Sequence, residues 1–124
     1  MNYTGIFGIG ALGGILSEYL IYRKNPTPTG STIGNLYGWG ALIIYSIWLM
    51  EFPLGLSLLL ITISLLFLEC AGGKISKRIR GKKMWNYNCE MCEGYVSPES
   101  TIYFVGMSMI LMALLEVGKK IKII

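Results

Sequence analysis

Apolar residues in this chain come in long blocks separated by short polar breaks, and the blocks have the length that a bilayer demands. A hydrocarbon core of about 30 Å needs about 20 apolar residues of helix, somewhat fewer where snorkelling ends help. The first block runs from Tyr3 to Tyr22 and stops at Arg23-Lys24, where Pro26, Pro28 and Gly30 break the helical pattern. The second runs from about Ile33 to Met50. Glu51-Phe52-Pro53 turns the chain sharply and the third block, Leu54 to Glu69, returns at once. Spans joined so tightly are antiparallel neighbours. A polar stretch over 73–99 precedes the fourth block, Ser100 to about Val117, which closes at Gly118-Lys119-Lys120. The pattern predicts an all-α membrane protein, one integral membrane domain over 1–124. It would be a bundle of four transmembrane helices (3–22, 33–50, 54–69 and 100–117) with short loops and one basic loop. A signal peptide is the competing reading of the first block. That block lacks a basic leading region and carries Glu18 inside its apolar run, which favours a retained helix.

Composition narrows the function classes. The chain is 53% hydrophobic with a mean hydropathy of +0.56, and 15% of its residues are charged, against about 25% in a typical soluble domain. Apolar blocks like these would aggregate in water. That excludes a secreted disulfide scaffold, a disordered tail and a free nucleic-acid module. Histidine is absent, which closes imidazole base chemistry and His metal ligation, and all seven acidic residues are Glu. The sequence contains no nucleotide-binding loop, serine nucleophile elbow or zincin helix, so neither enzymatic activity nor a cofactor is expected. Any transport would draw on an ion gradient or on another subunit.

Charge sets an orientation. Eight cations (Arg23, Lys24, Lys74, Lys77, Arg78, Arg80, Lys82, Lys83) fall in the two loops of one side and three (Lys119, Lys120, Lys122) on the other. The positive-inside rule then places the basic loops in the cytoplasm and both termini opposite. The run of Lys74, Lys77, Arg78, Arg80, Lys82 and Lys83 suits anionic lipid headgroups. The net charge of +4 is the sum of these anchors and is no separate argument for nucleic acid.

Helices associate in lipid through small residues and partnered polar groups. Gly10, Gly14 and Glu18 share one stripe of the first helix, and Gly34, Gly38, Ala41 and Tyr45 one of the second. Gly55, Thr62, Glu69 and Gly73 do so on the third, and Gly106, Met109, Ala113 and Glu116 on the fourth. Glu18 and Glu69 lie at comparable depth near the basic side. One reading pairs Glu18 with Arg23 or Lys24, and Glu69 with Lys74, as interfacial salt bridges. The other joins both carboxylates, with Tyr37 or Asn35 nearby, into a cation or proton site. Cys89 and Cys92 have the spacing of a zinc knuckle or a redox dithiol. Cys70 is the one further cysteine and a structural zinc wants four ligands, so no metal site is expected and free thiols are the working expectation.

Leu68-Glu69-Cys70-Ala71-Gly72-Gly73, then Gly81-Lys82-Lys83-Met84-Trp85-Asn86-Tyr87-Asn88, and later Gly94-Tyr95 resemble the putative ABC-transporter type IV family of small bacterial-type membrane proteins. Its members show Leu-Glu-x-x-x-Gly, Gly-x-x-x-Trp-Asp-Tyr-Ser and Asn-x-x-Gly in that order. Glu69 and Gly73 match the first element, Gly81, Trp85 and Tyr87 the second, and Gly94 the third. Gly14 with Glu18 resembles the family's first-helix Gly-x-x-x-Glu, and Tyr37-Gly38-Trp39-Gly40 its Tyr-Gly-x-Gly. Asn86, Asn88 and Lys77 stand where the family has Asp, Ser and Glu. The resemblance implies a small permease, a transport or channel-like subunit, acting as a homo-oligomer or with other membrane subunits. The alternative is a non-enzymatic structural subunit of a larger assembly, such as a respiratory complex or the internal membrane of a virion. Trp85 and Tyr87 could equally be ordinary headgroup anchors.

Overall fold

A computed structural model of the chain describes residues 2–20, 30–87 and 90–122. Along it run α1 (Tyr3–Leu20), α2 (Gly30–Leu49), α3 (Leu54–Arg80), a 3-10 turn (Met91–Gly94) and α4 (Pro98–Lys120), with no strand among the described residues. Arg23, Lys24 and the prolines of that loop lie outside the described residues.

Local chemistry sets the helix ends. The Asn2 Oδ1 accepts the Gly5 N–H at 2.8 Å and opens α1. Ser97 and Ser100 cap α4 reciprocally, each side chain accepting the other's backbone N–H, with Pro98 in the first turn. The third helix departs from the expected 54–69 by running unbroken to Arg80. Gly72 and Gly73 weaken a helix without ending one. The stop is Gly81, at φ 78°, whose N–H donates to the Lys77 carbonyl at 2.7 Å. Lys77, Arg78 and Arg80 therefore occupy a last helical turn, where cations meet the negative end of the helix dipole. The connecting loop begins only after them.

The second helix is the hub, in contact with α1, α3 and α4. The α1–α2 seam is closed by absent side chains. A Cβ on Gly10 would stand 2.7 Å from the Tyr37 carbonyl oxygen, one on Gly38 2.6 Å from the Phe7 ring, and one on Gly14 2.0 Å from Tyr37 Cγ. Apolar clusters continue the packing: Ile6, Ala41, Tyr45 and Leu115 in one, Ile44, Ile47, Ile61 and Met112 in the next. The stripes expected on α3 and α4 hold only in part. Gly73 is packed, whereas Gly55 and Gly106 have nothing within 4 Å of an added Cβ.

One end of the bundle joins the 51–53 turn to the end of α4. Lys119 lies 3.4 Å from Glu51, but with the two side chains 55% and 76% exposed the pair adds at most about 1 kcal/mol and serves to mark proximity. Trp48 Nε1 donates to Glu116 at 2.8 Å beside it, and the Tyr3 and Tyr45 rings meet at 5.6 Å, bringing the start of α1 to the same end. Outward-facing Leu12, Leu16, Leu20, Phe67, Ile102 and Leu114 give the bundle an apolar exterior that a soluble domain would not carry. Two helices, α3 and α4, are long and apolar enough to cross a membrane, and only 17% and 22% of their apolar windows are buried inside the bundle. A soluble core helix would be mostly buried, so these faces suit lipid.

Candidate functional site

At the opposite end, each helix contributes to a buried polar belt. Glu18, near the end of α1 and 2% exposed, accepts the Tyr37 hydroxyl at 2.7 Å through Oε1. Tyr103 of α4 interacts with the same tyrosine, whose ring lies 5.4 Å from that of Phe104. Glu69, 6% exposed on α3, accepts Ser100 Oγ at 3.3 Å and the Tyr87 hydroxyl at 3.5 Å. The second contact is at the edge of hydrogen-bonding distance. A carboxylate in hydrocarbon costs about 2.5 to 3.5 kcal/mol on insertion scales, and hydroxyl donors offset part of that cost. Asn35, expected as an alternative to Tyr37 near the two carboxylates, occupies an exposed position of α2.

Between the four helices lies a cavity of about 190 Å³, partly open at the exposed Ile9, Ile110 and Leu114, its lining largely apolar. Gly13 and Gly40 lie on its wall, with open space beside Gly13, and Tyr37, Glu69, Phe104 and Ser108 bring an aromatic pair and three polar groups to it.

The chain after α3 folds back over the belt as a cap. Trp85 is 0% exposed and donates from Nε1 to the Tyr95 carbonyl at 2.9 Å, and the two rings meet edge to face at 5.8 Å. Gly73 accepts the Tyr95 ring at a distance that leaves no room for a Cβ. The Tyr87 N–H donates to the Gly94 carbonyl at 2.9 Å, and Gly94 turns the chain at φ 90°. Lys83 donates to the Glu93 carbonyl and lies 5.1 Å from the Tyr95 ring centroid. Burial, with the Glu93 carboxylate adding to it, holds the Tyr95 phenol above its ordinary range and keeps it neutral. Gly73, Trp85, Tyr87 and Gly94 thus belong to one packed unit, Gly81 is an exposed left-handed stop to α3, and Gly14 and Gly38 serve the α1–α2 seam and Gly40 the cavity. Trp85 is a core residue of the cap and not a headgroup anchor. Lys74, Lys77, Arg78, Arg80 and Lys82 are exposed beyond it, and Lys83 is half-buried with its ammonium on the Glu93 carbonyl.

Cys92 is joined to Cys70 in a disulfide, with 5.8 Å between their Cα atoms. The free-thiol expectation for Cys89 and Cys92 therefore fails for Cys92. The C-x-x-C spacing gives way to a pairing made when the cap returns Cys92 to α3, and Cys89 lies outside the described residues. Cys70 follows Glu69 directly, so the bond pins the cap beside the carboxylate that Tyr87 reaches. Closing a loop of 22 residues is worth about 3 kcal/mol in the chain-entropy account. Because Trp85 and Tyr95 already hold the cap, Cys92→Ser should cost about 2 kcal/mol. Thermal denaturation with and without reductant checks this, and an unchanged midpoint in both would count against a native bond.

Sequence reasoning missed Ser100, Tyr103 and Phe104. Ser97-Pro98-Glu99-Ser100 carried a cap signal that would have fixed Ser100 at the first turn of α4. Among the described residues, no group of three or more Cys, His, Asp or Glu is placed to hold a metal ion. A sequence model of the family described as putative ABC-transporter type IV matches residues 5–122, nearly the whole chain. No curated protein and no solved structure matches it.

Proposed function

We propose, since the chain belongs to the putative ABC-transporter type IV family, that it crosses the membrane four times and serves as a transport or channel-like subunit with no enzymatic activity of its own. The observation that carries this reading is the pair of buried carboxylates held by hydroxyls, Glu69 on Ser100 and Tyr87 at the wall of the cavity and Glu18 on the hydroxyl of Tyr37, which also lines it. A hydroxyl rotates to suit either state of a carboxylate, so a proton or cation can arrive and leave without repacking of the helices. The exposed cations from Lys74 to Lys82 would face anionic headgroups; their charge favours the cytoplasmic side, whereas the Cys70–Cys92 disulfide beside them requires an oxidising one. The apolar exterior leaves whole helix faces for further copies or other membrane subunits. Those same faces would be the docking surfaces if the chain were instead a structural subunit.

Proteoliposomes with an entrapped pH-sensitive dye and an imposed potassium diffusion potential separate the two. Wild type should conduct protons above protein-free vesicles, and Glu18→Gln or Glu69→Gln should reduce the flux at least about tenfold while the protein stays folded. A wild-type flux no greater than that of empty vesicles, together with variants that lose stability, would establish the structural role.

A further inference from the structure

We infer that the cavity between the four helices binds a small organic cation, a substituted ammonium carrying one ring or an alkyl group of similar size. This rests on the transport reading and names its substrate class. Size sets the first limit. A cavity of about 150 Å³ lined by aliphatic and aromatic carbon accepts one benzene molecule, so about 190 Å³ holds one ring with a compact head.

Wall chemistry sets the second. Glu69 supplies a buried carboxylate at the wall, and the Tyr37 and Phe104 rings, 5.4 Å apart and tilted by 59°, offer two aromatic surfaces. A carboxylate beside aromatic surfaces is the pairing that recognises alkylated ammonium groups. The polar side chains of the wall are Glu69, Tyr37 and Ser108, whereas a hard inorganic cation wants about six or more oxygens. An acyl chain would fill the space but would leave the carboxylate facing hydrocarbon. The ammonium head replaces the 3.5 Å contact from Tyr87, the longer of the two hydroxyl contacts to Glu69.

The test uses the protein in lipid nanodiscs, titrated with benzylammonium and with its neutral isostere ethylbenzene, whose eight heavy atoms match the space. The cation should bind saturably and at least about tenfold more tightly than the isostere. Glu69→Gln should weaken it about tenfold and Phe104→Leu about threefold, with melting temperatures held. Should Glu69→Gln fail to fold, the isostere and Phe104→Leu carry the comparison. Equal affinity for the neutral isostere, absent saturation, or a folded Glu69→Gln that binds like wild type would overturn the assignment. Saturable binding without flux across sealed vesicles would sink the transport reading and leave the site. Proton flux without binding would do the reverse.

Discussion

Gly14→Leu is expected to force α1 off α2 and to cost about 3 kcal/mol or more, because overpacking a closed seam alone costs about 1 to 3 kcal/mol and the displaced partner here is Tyr37. The Cβ would stand 2.0 Å from Tyr37 Cγ and 2.3 Å from its Cβ, so either the side chain or the helix must move. Ring movement takes its hydroxyl from Glu18, which sits 2% exposed, and a buried acceptor that loses a donor costs about 1 to 3 kcal/mol further. Gly13, one position away, supplies the contrast: nothing lies within 4 Å of a Cβ there. Gly13→Ala should be neutral or gain up to about 1 kcal/mol from helix propensity. Reversible unfolding in mixed micelles measures both. Equal stability of Gly14→Leu and wild type would mean that this seam does not hold the bundle.

How the seam could be read from sequence, and the cap could not, follows from where the information lies. A stripe of small residues states that one face of a helix can approach another, and on α1 and α2 the stripes meet each other at Gly10, Gly14 and Gly38. The same rule fails at Gly55 and Gly106, because a stripe on one helix does not say whether a neighbour stands opposite. Depth along the helices was enough to bring Tyr37 to Glu18. It could not bring Ser100 or Tyr87 to Glu69, since that depends on how the chain folds back after Arg80. Lys and Arg beyond the apolar block look alike in a loop and in a helix projecting past the hydrocarbon. The left-handed turn at Gly81 decides, a local stop, whereas the way the chain folds back after it is not written in the local pattern. The pairing of Cys92 with Cys70, and not with its sequence neighbour Cys89, has the same origin.

Trp85→Ala should then undo the cap and leave the bundle standing. The side chain is 0% exposed, packs edge to face on Tyr95 and donates to the Tyr95 carbonyl, so truncation removes a buried ring and a hydrogen bond, a loss of about 3 to 5 kcal/mol. That cost falls on a unit smaller than the domain, since the cap's cluster of Met84, Trp85 and Tyr95 is separate from the clusters joining the helices. Local opening is therefore the expected response. Hydrogen exchange reads it directly: the Tyr87 and Tyr95 amides, bonded to the Gly94 and Cys92 carbonyls, should lose protection, while amides in the apolar part of α3 keep theirs. The disulfide would still tether Cys92 to Cys70, so Trp85→Ala with Cys92→Ser should open further than either alone. Tyr87 would leave Glu69 in that state, and proton flux in vesicles should change while α1 and α2 remain paired. If the Tyr87 and Tyr95 amides stay protected in Trp85→Ala, the cap is not held by this ring, and the clustering of Gly73, Trp85, Tyr87 and Gly94 needs another cause.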